Sequence, residues 1–448
     1  MNSEHEDAVT PTLRAGEQRI KTDCCIAGGG PAGLMLGYLL ARAGVEVVVV
    51  EKHGDFHRDF RGDTVHPSTL QVLDELGLLD EFLRIPHAKL RQFHGMVGPR
   101  LMRAADFRHV PGRCKFIAIM PQWDFLNFLA EHARRLPGFR LEMNAEATDL
   151  VRSGTRITGI RVKTPHGMLA IDAELVVAAD GRHSVLRRCS GLPSVELGAP
   201  IDVLWMRISR TPNDPTVLLG YVAAGCILVA INCGTYYQCG YFIRKDSYDA
   251  VRAAGLEALR ERLAASMPVL AGRVGELRSW DDVKLLAVKV DRLRNWYRPG
   301  LLCIGDAAHA MSPVGGVGLN LAIQDAVAAA NRLAIPLRRR AVSAGDLAGV
   351  QARRELPTRL TQGTQVMLQR RIFDRVLSAE KAFADAHWLV RVLAAIPIVP
   401  VLLARIFGVG FRPERVSQGC CESVDGHTPR FAQRRDRRCG RRAFGRER

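Results

Sequence analysis

The fold of this chain is limited above all by a glycine-rich turn between a predicted strand and a predicted helix. Residues 28–33 read Gly-Gly-Gly-Pro-Ala-Gly, and they follow the apolar stretch 23–27 and precede the apolar stretch 34–43. The uninterrupted run Val47–Val50 then predicts a strand buried on both faces of a parallel sheet. A strand, a turn, a helix and a second strand within about 30 residues form a βαβ unit.

This turn has the glycine spacing that binds the pyrophosphate of a dinucleotide. Gly28 permits the tight turn, Gly30 lets the backbone approach the phosphates, and Gly33 lets the helix pack on the strand. Backbone N–H groups at the start of the helix, around Ala32, offer the positive end of the helix dipole to the phosphates. Glu51 ends the second strand, where a carboxylate can accept hydrogen bonds from a ribose. We therefore expect an adenine dinucleotide here, either NAD or FAD.

Two later loops also follow predicted buried strands. The strand 175–179 is followed by Asp180-Gly181, and the strand 301–304 is followed by Gly305-Asp306. An aspartate in such a position can hold a ribose or ribityl hydroxyl, because the carboxyl ends of parallel strands form the ligand-binding edge of the sheet. The glycine-rich loop 315–318 then lets backbone N–H groups approach a flavin edge.

The order and spacing of these three motifs resemble those of the class A FAD-dependent aromatic hydroxylases, which are monooxygenases of the para-hydroxybenzoate hydroxylase type. The resemblance covers residues 22–415. It implies an α/β fold in which a Rossmann-type, glutathione-reductase-like FAD-binding domain is interleaved with an antiparallel-sheet substrate domain and followed by a helical C-terminal segment. It also implies FAD as cofactor, NAD(P)H and O₂ as co-substrates, and hydroxylation of a small aromatic, polycyclic or polyketide-like molecule through a flavin C4a-hydroperoxide.

The resemblance assigns roles to single residues. Arg61 stands where the family has an arginine near the FAD pyrophosphate, and Gln122 where it has a glutamine near the ribityl chain. Pro313 matches a proline beside the flavin ring, and His309 is expected to orient the Asp306 loop more than to act in acid–base chemistry. No catalytic side chain is assigned, because the flavin carries the chemistry. The implied cofactor-binding residues are Gly28, Gly30, Ala32, Gly33, Glu51, Arg61, Gln122, Asp180, Asp306, Gly318, Leu319 and Asn320.

The predicted domain boundaries follow the motifs. The FAD-binding domain is discontinuous, and the substrate-binding segments are inserted into it. We expect a flexible leader (1–21), the FAD-binding domain (22–95, 140–199 and 285–340), substrate-binding segments (96–139 and 200–284), a helical C-terminal segment (341–416) and an Arg-rich tail (417–448). For the tail a disordered segment is favoured, and a non-native end or a segment that binds an anionic partner stays open.

Charge and cysteine usage exclude some classes of protein. The net charge is +17, but part of it lies in the tail, and no basic helix or zinc-finger spacing predicts specific nucleic-acid binding. The 11 cysteines form no CxxC pair, which favours a reduced, cytoplasmic protein. His53 and His57 lie in a polar loop with only His66 further along it, so no metal site is expected. Monomer and homodimer both stay open.

Alternative functions on the same fold remain. The apolar run Val392–Ala404 is too short to span a bilayer, but it keeps open a membrane-associated, quinone-type hydroxylase. A flavin reductase or halogenase is less favoured, because the motifs WxWxIP and PxxYxWxFP that those classes usually carry do not occur. A non-catalytic FAD-binding protein is a further alternative, which turnover of NAD(P)H would distinguish.

Overall fold

The computed structural model describes residues 18–57, 64–97, 100–214, 219–223, 225–378, 396 and 398–417. Strands and helices are numbered below in chain order. The predicted cofactor residue Arg61, the first 17 residues of the predicted leader and residues 418–448 of the predicted tail lie outside the described residues.

The first sheet has eight strands and a parallel centre. Five strands run parallel in the order β20-β11-β1-β2-β8, β19 pairs antiparallel with β20, and β9 and β10 extend antiparallel from β11. This is the predicted Rossmann-type arrangement, since the chain runs from β1 through a helix to β2 on one side and later returns to β11 on the other side. The strands are β1 (Gln18–Ala27), β2 (Val47–Glu51), β8 (Phe139–Met143), β9 (Glu146–Ser153), β10 (Arg156–Thr164), β11 (Gly167–Ala178), β19 (Tyr297–Arg298) and β20 (Leu301–Cys303).

Strand β1 begins earlier than the sequence predicts. Residues 18–21 were assigned to the flexible leader, but Gln18 to Thr22 pair with Leu169 to Ala173 of β11. The extension is held by backbone pairing and by an ion pair between Arg19 and Asp172. Residues 18–22 are mostly polar, so they lack the hydrophobic pattern from which a strand is predicted.

Eleven α-helices are found among the described residues. Helices α1, α4 and α8 pack together with the buried strands of the first sheet into the largest core. The helices are α1 (Pro31–Arg42), α2 (Pro67–Glu75), α3 (Leu79–Phe82), α4 (Gln122–Arg134), α5 (Val185–Ser190), α6 (Tyr248–Ala253), α7 (Leu256–Ser266), α8 (Gly318–Arg338), α9 (Ala344–Leu368), α10 (Asp374–Leu377) and α11 (Ile398–Gly408). A π-helical turn, Gln369–Phe373, joins α9 to α10.

Helix α4 packs on the first sheet. It lies within residues 96–139, which we predict to be a substrate-binding segment, and it contacts α1 and β8. Its apolar face, with Phe125, Leu129 and Ala133, is fully buried in the core of the first sheet. The division into domains stays a prediction.

A seven-stranded, mainly antiparallel sheet forms the second layer. Its order is β17-β13-β16-β15-β14-β5-β6, and only β14 and β5 pair in parallel. Its strands are β5 (Gln92–Val97), β6 (Arg100–Asp106), β13 (Ile201–Ser209), β14 (Leu219–Ala223), β15 (Cys226–Asn232), β16 (Tyr236–Arg244) and β17 (Lys284–Leu286). Two small sheets complete the fold, with β3 (Thr64–Val65), β4 (Ala88–Leu90) and β7 (Ile117–Ile119) in one and β12 (Ser194–Glu196) and β18 (Asp291–Leu293) in the other.

Of the apolar run Val392–Ala404, the structure describes residues 396 and 398–404. Helix α11 begins at Ile398. Within α11, Ile398 and Leu402 are exposed, whereas Ala404 is fully buried. Among the described residues, no helix is both long and apolar enough to cross a membrane.

Candidate active site

The predicted motifs meet at one edge of the first sheet. Neighbouring parallel strands β2, β1, β11 and β20 all end there, and the three motif loops leave from their carboxyl ends. A Cβ added to Gly28, whose φ is +107°, would lie less than 3.0 Å from the carbonyl oxygen of Ala179. A Cβ on Gly305 would lie 3.2 Å from the Cβ of Ala32. The first turn therefore touches both the Asp180 loop and the Asp306 loop.

The start of α1 is open on the side that a phosphate would approach. Gly30 is the N-cap with φ −78°, no side chain caps the helix, and Pro31 occupies its first turn. A Cβ on Gly30 would meet nothing within 4 Å. A Cβ on Gly33 would instead lie less than 3.0 Å from the carbonyl oxygen of Gly28. Gly33 is therefore required for packing, whereas the space beside Gly30 and the uncapped N–H groups fit a pyrophosphate.

Glu51 lies beside the turn as predicted, and its carboxylate also holds the protein backbone. Oε2 accepts a hydrogen bond from the backbone N–H of Gly29 at 2.9 Å. Oε1 accepts from the backbone N–H of His53 at 3.2 Å and lies 2.7 Å from its Nδ1. A carboxylate has about four lone-pair sites, so it can still accept ribose hydroxyls. The contact with the His53 ring was missed by the sequence analysis, which considered this residue only as a metal ligand.

The two aspartates of the later loops have different surroundings. Asp180 Oδ2 accepts from the backbone N–H groups of Val185 at 2.8 Å and Leu186 at 3.3 Å, and so caps the short helix α5. Its Oδ1 is buried without a partner among the described residues, and burial raises the pKa of Asp180. Asp306 is partly exposed and lies 3.6 Å from Nη2 of Arg182. Arg182 therefore links the two loops.

His309 lies behind the Asp306 loop and not at the surface of the site. Its ring is buried, and Nε2 lies 2.6 Å from Oδ2 of Asp325. The same oxygen accepts from the backbone N–H of Gly305 at 3.1 Å, and Arg354 Nε donates to Oδ1 of Asp325 at 3.0 Å. Burial acts to raise the pKa of Asp325, but His309 and Arg354 outweigh it and hold that pKa below its usual value.

Pro313 lies in residues 310–314, a segment without strand or α-helix that we call the strap. A 3-10 turn, Val314–Gly316, connects the strap to α8. Helix α8 begins at Gly318 and Leu319, and no side chain caps its first N–H groups. The Asn320 side chain forms hydrogen bonds within the protein. Its Oδ1 accepts from the backbone N–H of His66 at 3.0 Å and from the Thr69 hydroxyl at 2.7 Å, and its Nδ2 donates to the carbonyl of Gly316 at 3.4 Å.

Comparison with known proteins identifies the family of this chain. The family described as "FAD binding domain" matches residues 21–364. A 6-methylpretetramide 4-monooxygenase of Streptomyces rimosus is 36% identical over 358 residues, which cover 78% of this chain and 84% of the relative. The chain belongs to the FAD-dependent aromatic hydroxylases. A dialkyldecalin synthase of Streptomyces rugosporus is also similar to this hydroxylase, at 30% identity over 308 residues (67% of this chain and 63% of the relative).

The fold of the hydroxylase has close structural counterparts. The p-nitrophenol 4-monooxygenase PnpA from Pseudomonas putida superposes with a TM-score of 0.72 at 21% identity, covering 89% of this chain and 100% of that chain. This likeness confirms the predicted fold class, and the family confirms FAD as the cofactor and monooxygenation as the reaction class.

An apolar wall of the hydroxylase faces the strap. It is one face of the seven-stranded sheet, where Val203, Ile227 and Phe242 are buried and the half-buried Val314 and Trp205 pack against them. A Cβ on Gly240 would lie 2.9 Å from the Trp205 ring, so the indole lies next to the glycine. Tyr237 and Tyr241 belong to the core on the opposite face, with α7.

Gln122 is the first residue of α4 and is half-buried. The next residue, Trp123, lies between His57, with ring centroids 5.1 Å apart, and the guanidinium of Arg207, 5.8 Å from the indole. The same guanidinium lies 5.2 Å from the ring of Tyr236. No sequence pattern predicts this cation–aromatic cluster, because its members come from four separate segments of the chain.

Among the described residues, no group of three or more His, Cys, Asp or Glu side chains could hold a metal ion.

Proposed function

We propose that this hydroxylase uses NAD(P)H and O₂ to insert one oxygen atom into an aromatic or polyketide-like small molecule. The observation that supports it most is the meeting of three motif loops at the carboxyl ends of β1, β11 and β20, next to an apolar wall. Ligands of open α/β sheets bind at this edge, where the strand order reverses.

The residues at this edge fit FAD along its length. The uncapped N-terminus of α1 would receive the pyrophosphate beside Gly30, and Glu51 would accept from the ribose. Asp306 would accept from a hydroxyl of the ribityl chain, in reach of the cation of Arg182. The first N–H groups of α8, at Gly318 and Leu319, would donate to a flavin carbonyl.

Bound FAD would supply the redox chemistry, in which NAD(P)H would be the reductant and O₂ the oxidant. The protein's share is to exclude water and to orient the substrate. The apolar side chains of the wall, among them Val203 and Phe242, would help to keep water away from the strap. Pro313 offers no N–H there, and His309 would act by holding the Asp306 loop, because its ring is buried against Asp325.

The wall and the relatives support the proposed substrate class. The wall is apolar and aromatic, which suits a flat, mostly apolar ring system. The relative that is 36% identical is named for action on 6-methylpretetramide. We therefore propose a fused-ring or phenolic substrate. A cytoplasmic location stays a prediction.

The test is a visible spectrum of the purified protein followed by NAD(P)H oxidation in air with a panel of phenols and hydroxylated polyketides. We expect a flavin spectrum, substrate-stimulated oxidation and a product heavier by one oxygen atom, with the label incorporated from ¹⁸O₂. One relative is named as a synthase. The test of the proposed function is therefore insertion of oxygen into the product, because oxidation of NAD(P)H alone would not establish it. A flavoprotein that consumes NAD(P)H with every substrate but inserts no oxygen would contradict the proposal.

A further inference from the structure

Helix α9 and the π-helical turn that follows it bury an unusual row of glutamines. Gln362, Gln365 and Gln369 are all fully buried, and Gln351, three turns earlier on the same face, is 9% exposed. Glutamine is mostly an exposed residue, and when it is buried its amide needs partners. We call Gln362, Gln365 and Gln369 the glutamine row.

Most partners of the row are backbone and side-chain atoms of the strap. Gln365 Nε2 donates to the carbonyl oxygens of Ser312 at 3.0 Å and Val314 at 2.7 Å. Gln362 Nε2 donates to the carbonyl of Ala310 at 3.0 Å and to that of Asp291 at 2.8 Å. Gln369 Nε2 donates to the hydroxyl of Ser312. Each of the first two amides therefore uses both of its hydrogens on main-chain oxygens.

These contacts bracket Pro313. One amide, that of Gln365, binds the carbonyl before and the carbonyl after this proline. Because all its partners are acceptors, the amide nitrogen must face the strap. The Oε1 atoms of Gln365 and Gln369 are buried and have no partner among the described residues, so both amides are held through nitrogen alone.

The strap has few other means of holding its own position. Its short segment forms no regular strand or α-helix, and a proline inside it offers no N–H. Its other hydrogen bonds run from the N–H of Val314 to the Ser312 hydroxyl at 3.2 Å, from the N–H of Ala310 to Asp291 at 3.3 Å and from the N–H of Gly316 to the Pro313 carbonyl at 3.0 Å. Most hydrogen bonds that join the strap to distant segments therefore come from α9 and the π-helical turn.

We propose that the glutamine row positions the strap against the flavin ring, with Gln365 as its central positioning residue. This inference rests on the proposed function, because it places Pro313 beside FAD. A substitution in the row should then change the binding and the spectrum of FAD, although no member of the row is placed in contact with it. If the row only stabilised the fold, its loss would lower the melting temperature and leave the bound flavin unchanged.

The test compares Gln365→Met with Gln351→Met. Methionine keeps the length of the side chain and removes the amide. Gln351 is the matched control, because its amide donates to the carbonyl of Arg294 at 2.8 Å and accepts from the N–H of Trp296 at 2.9 Å, away from the strap. The readouts are the Kd of FAD, by flavin fluorescence on titration of apoprotein, and the visible circular dichroism of bound FAD.

We expect Gln365→Met to weaken FAD binding about tenfold or more, because two buried carbonyls lose their donor and the strap relaxes. We also expect it to change the flavin dichroism, whereas Gln351→Met keeps both values within about twofold of the wild type. Equal Kd values and superimposable flavin spectra for Gln365→Met and the wild type would overturn the proposal, even if the melting temperature fell.

A second variant covers the case in which Gln365→Met does not fold. Ser312→Ala removes the hydroxyl that accepts from Gln369 and from the N–H of Val314, and it leaves the main-chain contacts of Gln365 in place. It should change the dichroism of bound FAD, with a smaller loss of affinity. An unchanged spectrum would overturn the proposal. A wild-type protein that binds no FAD would instead refute the proposed function together with the inference, so the two failures are distinguishable.

Discussion

Replacement of Gly30 by valine should remove FAD without unfolding the protein. Gly30 has φ −78° and ψ −175°, an extended conformation that any residue adopts, and its Cβ would meet nothing within 4 Å. The substitution therefore creates no internal clash. It does replace a favourable helix N-cap by valine, which costs about 1 kcal/mol of the free energy of unfolding, or roughly 2 °C in Tm.

The loss of FAD affinity should be much larger than this loss of stability. The side chain would occupy the space in front of the uncapped first turn of α1, where the pyrophosphate approaches. Loss of two hydrogen bonds from backbone N–H groups to a charged phosphate costs about 3–6 kcal/mol, which corresponds to roughly 10²- to 10⁴-fold in Kd. The variant should therefore purify without colour.

The assay measures Tm of the apoprotein and the Kd of FAD for three variants. Gly272→Val is the matched control, since its Cβ also meets nothing within 4 Å but it lies in an exposed turn away from the site. Gly33→Ala should behave oppositely to Gly30→Val, because its Cβ would lie less than 3.0 Å from a backbone oxygen and should destabilise the fold itself. A Gly30→Val protein that keeps stoichiometric FAD would refute the placement of the pyrophosphate. A Gly30→Val protein that is destabilised as much as Gly33→Ala would refute the conclusion that a side chain at position 30 meets no protein atoms.

Three further predictions concern polar groups around the site. Asp306→Ala should weaken FAD binding about tenfold in a fluorescence titration, because it removes an acceptor for a ribityl hydroxyl; an unchanged Kd would contradict that role. Burial lowers the pKa of His66 from 6.5 to about 4, so the unfolded state binds the proton more tightly, and stability present above pH 6.5 should fall by about 3 kcal/mol as the pH drops toward 4. His66→Gln should flatten this part of the pH profile of unfolding, and an equally steep profile would exclude His66 as its source. Arg354→Met should cost about 3–5 kcal/mol in urea unfolding, because it leaves Asp325 and Glu414 without their buried cation; the half-exposed Arg353 should matter much less on substitution.

The glycine motif and the strand runs made the sheet and the cofactor edge predictable. Gly28, Gly33 and Glu51 lie at fixed positions of a strand–turn–helix–strand unit, so their roles can be predicted from their spacing in the sequence. The Asp180 and Asp306 loops could be placed because they follow buried strands of the same sheet. The apolar stripe of α4 predicts a buried helix but does not tell which sheet it covers.

Contacts between distant segments could not be predicted in the same way. Asp325 binds His309, 16 residues away, and Arg354, 29 residues away. Spacing within one helix could have drawn attention to Gln362, Gln365 and Gln369, which share a face at intervals of three and four residues. Nothing in the sequence, however, shows that this face meets the strap.

The polar groups behind the site share one physical reason. Glycine-rich loops let a backbone approach a ligand closely, but glycine has no side chain with which to fix the loop. The anchors must then come from other segments, and here they do: Glu51 binds the N–H of Gly29, and Asp325 binds the N–H of Gly305. Gln365 does the same for the carbonyls on either side of Pro313. A preorganised set of backbone donors needs such anchors, because a loop that must be ordered on binding loses affinity to conformational entropy. The same reasoning explains why buried carboxylates and amides, costly to the fold alone, lie directly behind the proposed flavin site.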